Sequence, residues 1–122
     1  MIKSPYYESK IYVGSVRNVP PKDTPSYITE RALMHVIGRE QEKYALIIPL
    51  RTTKVSFVSG LAYRESGWEI AAINYPRTTA TIEQIDDFIL TLAKKMLNEF
   101  SQHRISIVNP NEIIMLTSEE DQ

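Results

Sequence analysis

The sequence predicts an α+β fold of the βαββαβ type: a two-layer sandwich with two helices on one face of a mainly antiparallel sheet, and one or two extra strands. Three observations predict it. Thr81 to Phe100 repeats apolar residues at helical spacing without a break. Trp68 to Tyr75 alternates as a strand does, with Trp68, Ile70 and Ala72 on one face and Glu69, Ala71 and Ile73 on the other. The remaining short apolar runs are strand-sized and separated by proline, glycine and asparagine.

Taken in order, Lys10–Val16 reads as the first strand, with Ile11 and Val13 alternating against Tyr12 and Gly14. Pro20 and Pro21 mark the following loop. Thr24 offers an N-cap and Pro25 a first helical position, so a helix is expected to about Ile37, burying Ile28, Ala32, Leu33 and Val36, with Gly38 as its stop. Tyr44–Ile48 and Thr53–Val58 follow as strands, with Pro49 closing the former and Gly60 the latter. Glu65, Ser66 and Gly67 read as a turn before the Trp68 strand.

The second helix carries the strongest local signals. Thr81 and Gln84 have capping-box spacing, Glu83, Asp86 and Asp87 lie in the early turns, and Lys94 and Lys95 in the later ones. Arg104–Val108 returns as a strand, Asn109–Asn111 turns, and Ile113–Leu116 adds a final strand. The element order β-α-β-β-β-α-β(-β) becomes ferredoxin-like on removing one middle strand. One domain spans 1–122, flanked by an extension at 1–9 and an acidic tail at 118–122. In element order the chain is similar to nitrogen-regulatory signal proteins and viral S-adenosylmethionine lyases. That likeness implies nucleotide-type ligands held between subunits, and no motif of either family is matched residue by residue.

Composition narrows the function. The chain has no cysteine, which excludes disulfides, thiolate chemistry and cysteine-based zinc sites. Fourteen basic residues against fifteen acidic ones leave no broad positive field for nonspecific nucleic-acid binding. No signal peptide and no membrane span is legible, so a cytoplasmic location is expected, or the host cytoplasm if the protein is viral. Four glycines, at 14, 38, 60 and 67, cannot spell a phosphate loop or a dinucleotide fingerprint. His35 and His103 are the only histidines and have no partners at metal-ligand spacing; neither a metal nor a cofactor is called for.

An echo remains: Pro49-Leu50-Arg51-Thr52-Thr53 and Tyr75-Pro76-Arg77-Thr78-Thr79 each set Arg-Thr-Thr after a strand. Before a helix N-terminus this is suitable chemistry for a phosphate or carboxylate. If both helices began at one sheet edge, Arg17, Asn18, Lys22 and Thr24 would join Arg77, Thr78, Thr79 and Thr81 around an anion, with Arg51 and Tyr75 nearby. Seven tyrosines suit half-wet surfaces and interfaces, Tyr6 and Tyr7 on a neighbouring subunit or the protein's own rim. The expectation is a small oligomeric protein, dimer or trimer through open edges at Thr53–Val58 and Ile113–Leu116, that senses or sequesters an anionic nucleotide-like small molecule. The alternative is a non-catalytic interaction or assembly module. A nucleotide-directed lyase or hydrolase comes third, with Glu69, a carboxylate inside a strand, as the candidate base.

Overall fold

The structure, a computed structural model, describes residues 1–18, 26–44, 46, 48–77 and 79–118. Strands β1 (Glu8–Gly14), β4 (Leu50–Ser59), β5 (Tyr63–Ile73), β6 (Arg104–Val108) and β7 (Ile113–Thr117) form one sheet in the order β4-β5-β1-β6-β7, and every neighbouring pair is antiparallel. A small ribbon pairs β2 (Val16–Arg17) with β3 (Ser26–Tyr27). Helices α1 (Glu30–Lys43) and α2 (Ile82–Glu99) pack on one face. Without β7 and the ribbon, this is the βαββαβ order expected from the sequence.

Alternation divides each strand. Ile11 and Val13 of β1, Trp68, Ile70 and Ala72 of β5, and Ile105 and Ile107 of β6 turn to the helices and are buried. They meet Leu33, Val36 and Ile37 of α1 and Ile85, Phe88, Ile89, Leu92 and Met96 of α2. The intervening residues of the same strands form the opposite, open face.

α2 matches its sequence signals. Thr81 Oγ1 accepts from Gln84 N at 3.1 Å while Thr81 N donates to Gln84 Oε1 at 2.8 Å, a complete capping box. The first helix is displaced from its expected position. Its N-cap is Thr29, whose hydroxyl accepts from Ala32 N, and Thr24 and Pro25 lie outside the described residues. Ile28 is buried ahead of the helix, not within it, and Gly38 sits mid-helix. The glycine costs roughly 1 kcal/mol against alanine. The buried stripe Leu33–Val36–Ile37–Glu40 runs through it and keeps the helix going.

Two expected strand features are also corrected. Tyr44 is the C-cap of α1, its ring 5.1 Å from Phe88 and its hydroxyl donating to Gln84 O and Asp87; no strand is assigned among the described residues of 44–48. The Glu65–Gly67 turn is the interior of β5, because Ser66 and Gly67 pair with Ser56 and Val55 in an unbroken register from Leu50↔Ala72 to Ser59↔Tyr63. The hairpin turns instead at Gly60, whose φ of 73° is left-handed backbone that glycine adopts freely. Finally, β1 starts at Glu8, so Tyr7 is not a rim residue. It is buried, and its hydroxyl donates to Asp86 at 2.6 Å.

Candidate active site

On the open face, β1 presents Glu8, Lys10, Tyr12 and Gly14 beside Glu69, Gly67 and Glu65 of β5 and Arg51, Val55 and Phe57 of β4. Charges interlock at one end. Glu8 accepts from Tyr6 Oη and Lys10 Nζ, both at 3.0 Å, and lies 3.4 Å from Arg51. Glu69 accepts from Tyr12 Oη at 2.7 Å, with Arg51 at 3.8 Å and Lys10 at 3.9 Å. Lys10 and Arg51 thus each bridge the same two carboxylates, and the cluster is formally neutral.

Burial pushes the Glu8 carboxyl up, but the hydrogen bonds from Lys10 and Tyr6 outweigh it and leave it below the usual carboxylate range. The bond to Glu8 raises the Lys10 ammonium. Tyr12 is raised first by its bond to Glu69 and then by burial.

Toward the other end the face opens into a cavity of about 780 Å³, bounded by Tyr12, Phe57, Tyr63, Glu65, Gln102 and Arg104 among others. Local sequence explains its shape. Gly14 and Gly67 face each other across β1 and β5, and two missing side chains leave a depression. A Cβ at Gly14 would overlap the Glu65 carboxylate, and one at Gly67 would overlap the Phe57 ring and Val13 O. Glu65 therefore lies flat on the strands, accepting from Val16 N at 3.2 Å and from the Tyr63 hydroxyl. That hydrogen bond raises the Tyr63 phenol. The Phe57 ring meets Tyr12 edge-on at 6.4 Å. Gln102 donates to Val16 O and Phe100 O and fixes the rim, and Ser15 and Ser66 join by their hydroxyls at 2.9 Å.

Unlike Glu8 and Glu69, Glu65 has no lysine or arginine partner among the described residues. The arrangement is an aromatic-walled cleft with one carboxylate outside any ion pair among the described residues, and Arg64 and Arg104 also border it. No group of three or more metal-ligating side chains occurs among the described residues.

The residues singled out from sequence are not gathered in one place. β1 and β5 run antiparallel, so the helices that follow them begin at opposite ends of the sheet. Arg17 stacks on Phe100 at 5.5 Å and donates to Glu99 O, at the C-terminal end of α2. Thr81 caps the other end, 18 residues of helix away, about 27 Å. The expected convergence of two helix N-termini therefore does not occur. Arg77 and Thr79 are exposed beside α2, Tyr75 is 42% exposed, and Thr78 lies outside the described residues. Asn18 borders the cavity, and Arg51 belongs to the charged cluster with Glu69. Sequence reasoning does not bring Glu65, Tyr12 and Tyr63 together, because Glu65–Gly67 has the composition of a turn and the three meet only through strand pairing. The legible signal was the Gly14/Gly67 pair within otherwise bulky strands.

No protein-family profile matches the sequence, and no curated protein matches it. Among solved structures, a phage SAM lyase in complex with S-methyl-5'-thioadenosine matches over 100% of this chain and 97% of its own, with a TM-score of 0.69 and 14% identity. A phage SAM lyase in the apo state matches over 95% and 92%, with a TM-score of 0.67 and 16% identity. At that identity the likeness is one of fold. The expectation of a non-catalytic sensor, sequestering protein or assembly module is corrected: these two structures are of lyases, and Arg17, expected to join the Arg77–Thr81 clamp, sits at the opposite end of α2.

Proposed function

We propose that this protein is a lyase that degrades S-adenosylmethionine (SAM), binding it in the open-face cleft. The observation that carries the reading is Glu65, a carboxylate outside any ion pair among the described residues, in an aromatic-walled cleft large enough for a nucleoside-sized ligand. The whole-length fold likeness to SAM lyases supports it.

Release of S-methyl-5'-thioadenosine breaks the bond from the sulfonium sulfur to the adjacent methylene of the amino-acid chain. The bonding pair leaves with sulfur, which becomes a neutral thioether. A lyase adds no water, so the carbon is satisfied from within the substrate, whose own carboxylate closes onto it as a five-membered lactone. A cation and an anion become two neutral groups, and no proton moves.

Charge disappears in this transition state, so surroundings that solvate the sulfonium poorly favour it. The rings of Tyr12, Phe57 and Tyr63 provide such a wall. A carboxylate against the sulfur would hold the ground state back. Glu65 serves better on the ammonium or ribose hydroxyls, which persist through the step. Glu69 already accepts from Tyr12 and faces two cations, which makes it a poor base and a good support for Tyr12.

The test is incubation of purified protein with SAM and chromatography of the products. S-methyl-5'-thioadenosine and homoserine lactone are expected in equal amounts; none above a protein-free blank would end the reading. Glu65→Gln loses a charged hydrogen bond, and about a tenfold to hundredfold drop in kcat/KM is expected, chiefly through KM. If Glu69→Gln abolished kcat instead, base-driven elimination would replace internal closure. Self-association through the sheet edges and a cytoplasmic location, where SAM is made and used, belong to the same proposal.

A further inference from the structure

A second cavity, of about 170 Å³, lies on the helix side of the sheet between α2 and the β6–β7 corner. Its floor is apolar, from Leu90 and Ile107, and its polar lining includes Ser9, Asp86, Asp87 and Glu112. Asp86 accepts from Tyr7 and Asp87 from Tyr44, but no lysine or arginine pairs with these three carboxylates among the described residues. Complementarity to the helix dipole accounts for Asp86 and Asp87, which ride the early turns of α2. It does not account for Glu112, which approaches from the β6–β7 turn, held where Asn109 Oδ1 accepts from Glu112 N at 3.0 Å.

The independent observation is Ser9. Its residue exposure is 0%, it lines this cavity, and its Oγ has no hydrogen-bond partner. A buried hydroxyl without a partner is costly and rare, and a group that enters the cavity beside it can complete it. Acceptors face the cavity in excess of donors. The phenol of Tyr7 registers the negative field: burial raises it first, then its bond to Asp86, then the charges of Asp86 and Glu112. These carboxylates do not form a group able to hold a metal ion.

We propose that this cavity binds a primary alkylammonium group, its short stem on Leu90 and Ile107 and its three N–H donors shared between Ser9 Oγ and the carboxylates. The site is separate from the open-face cleft and does not depend on the lyase reading. The same chemistry is offered by a free diamine and by a lysine side chain of another protein.

The test is calorimetric titration of the full chain with putrescine and with Nα-acetyl-lysine amide, against magnesium chloride at matched ionic strength. Saturable 1:1 binding of an amine, with no equivalent magnesium signal, is expected. Tighter binding of putrescine assigns the site to a free diamine, and tighter binding of the lysine derivative to a protein side chain. Ser9→Ala removes one acceptor and is expected to weaken the amine about tenfold or more. Glu112→Gln, on an exposed turn, is expected to weaken it without disturbing the fold. Binding of neither amine, an equal response to magnesium, or unchanged affinity in Ser9→Ala would overturn the proposal.

Discussion

Gly14 and Gly67 show how much a single side chain decides here. At Gly67 a methyl group would press on Val13 O and the Phe57 ring, and backbone cannot yield as a flexible side chain can. Gly67→Ala is expected to destabilise the protein by about 1–3 kcal/mol, read from urea unfolding at unchanged m-value. Gly14→Ala meets only the Glu65 carboxylate, which can swing away. It is expected to leave stability nearly intact while weakening substrate binding as Glu65→Gln does. Glu40 makes a different residue-scale prediction. Burial pushes its carboxyl up, yet the hydrogen bonds from Lys43 and Arg39 bring it below its ordinary value. A carboxyl lowered on folding stabilises above its unfolded pKa, about 4.3, and loses that contribution as pH falls through the folded value. Wild type should therefore converge on Glu40→Gln in urea midpoint as pH drops from about 5 toward 3. A difference that widened in acid would contradict the assignment.

Among the elements, legibility followed how local the determinants are. α2 could be read because its cap, its acidic first turn and its apolar stripe all lie within one stretch of chain. Thr81→Ala, which removes one half of the capping box, is expected to cost about 1 kcal/mol and lower Tm by a few degrees. α1 was misplaced because two threonines, Thr24 and Thr29, compete as caps, and burial of Leu33, Val36 and Ile37 outweighs the glycine that follows. Tyr44–Ile48 has strand composition, but Tyr44 is drawn onto Gln84, Asp87 and Phe88 of α2, contacts at least 40 residues away that no local pattern announces. Glu65–Gly67 has turn composition, and its ten-residue partner β4 on one side and Gly14 and Ser15 on the other hold it straight. The open-face cleft was illegible for the same reason: its members come from four strands of the sheet and the segment before β6, and meet only through register.

For the whole molecule, the direction of the strands proved decisive. An Arg-Thr-Thr echo can be found in the sequence, but whether Arg17 and Asn18 join Arg77 and its threonines depends on which end of the sheet each helix leaves from, and antiparallel β1 and β5 send those two segments apart. The edges were read correctly: β4 and β7 bound the sheet, and Ile113 and Met115 of β7 are exposed at 73% and 56%. Association of copies through such edges is expected on physical grounds. A mass above that of one chain in light scattering at micromolar concentration is the predicted outcome, and a monomer would argue against it. Among the described residues no helix is long and apolar enough to cross a membrane.

The alternation of β1 has an evolutionary consequence. Ile11 and Val13 answer to the helices, while Glu8, Lys10, Tyr12 and Gly14 answer to whatever occupies the opposite surface. Two selective pressures thus act on one seven-residue strand through interleaved positions that scarcely touch. Lineages can rewrite one set while the other stays under its own constraint. Change of that kind is compatible with one fold being shared by chains that are only 14% identical.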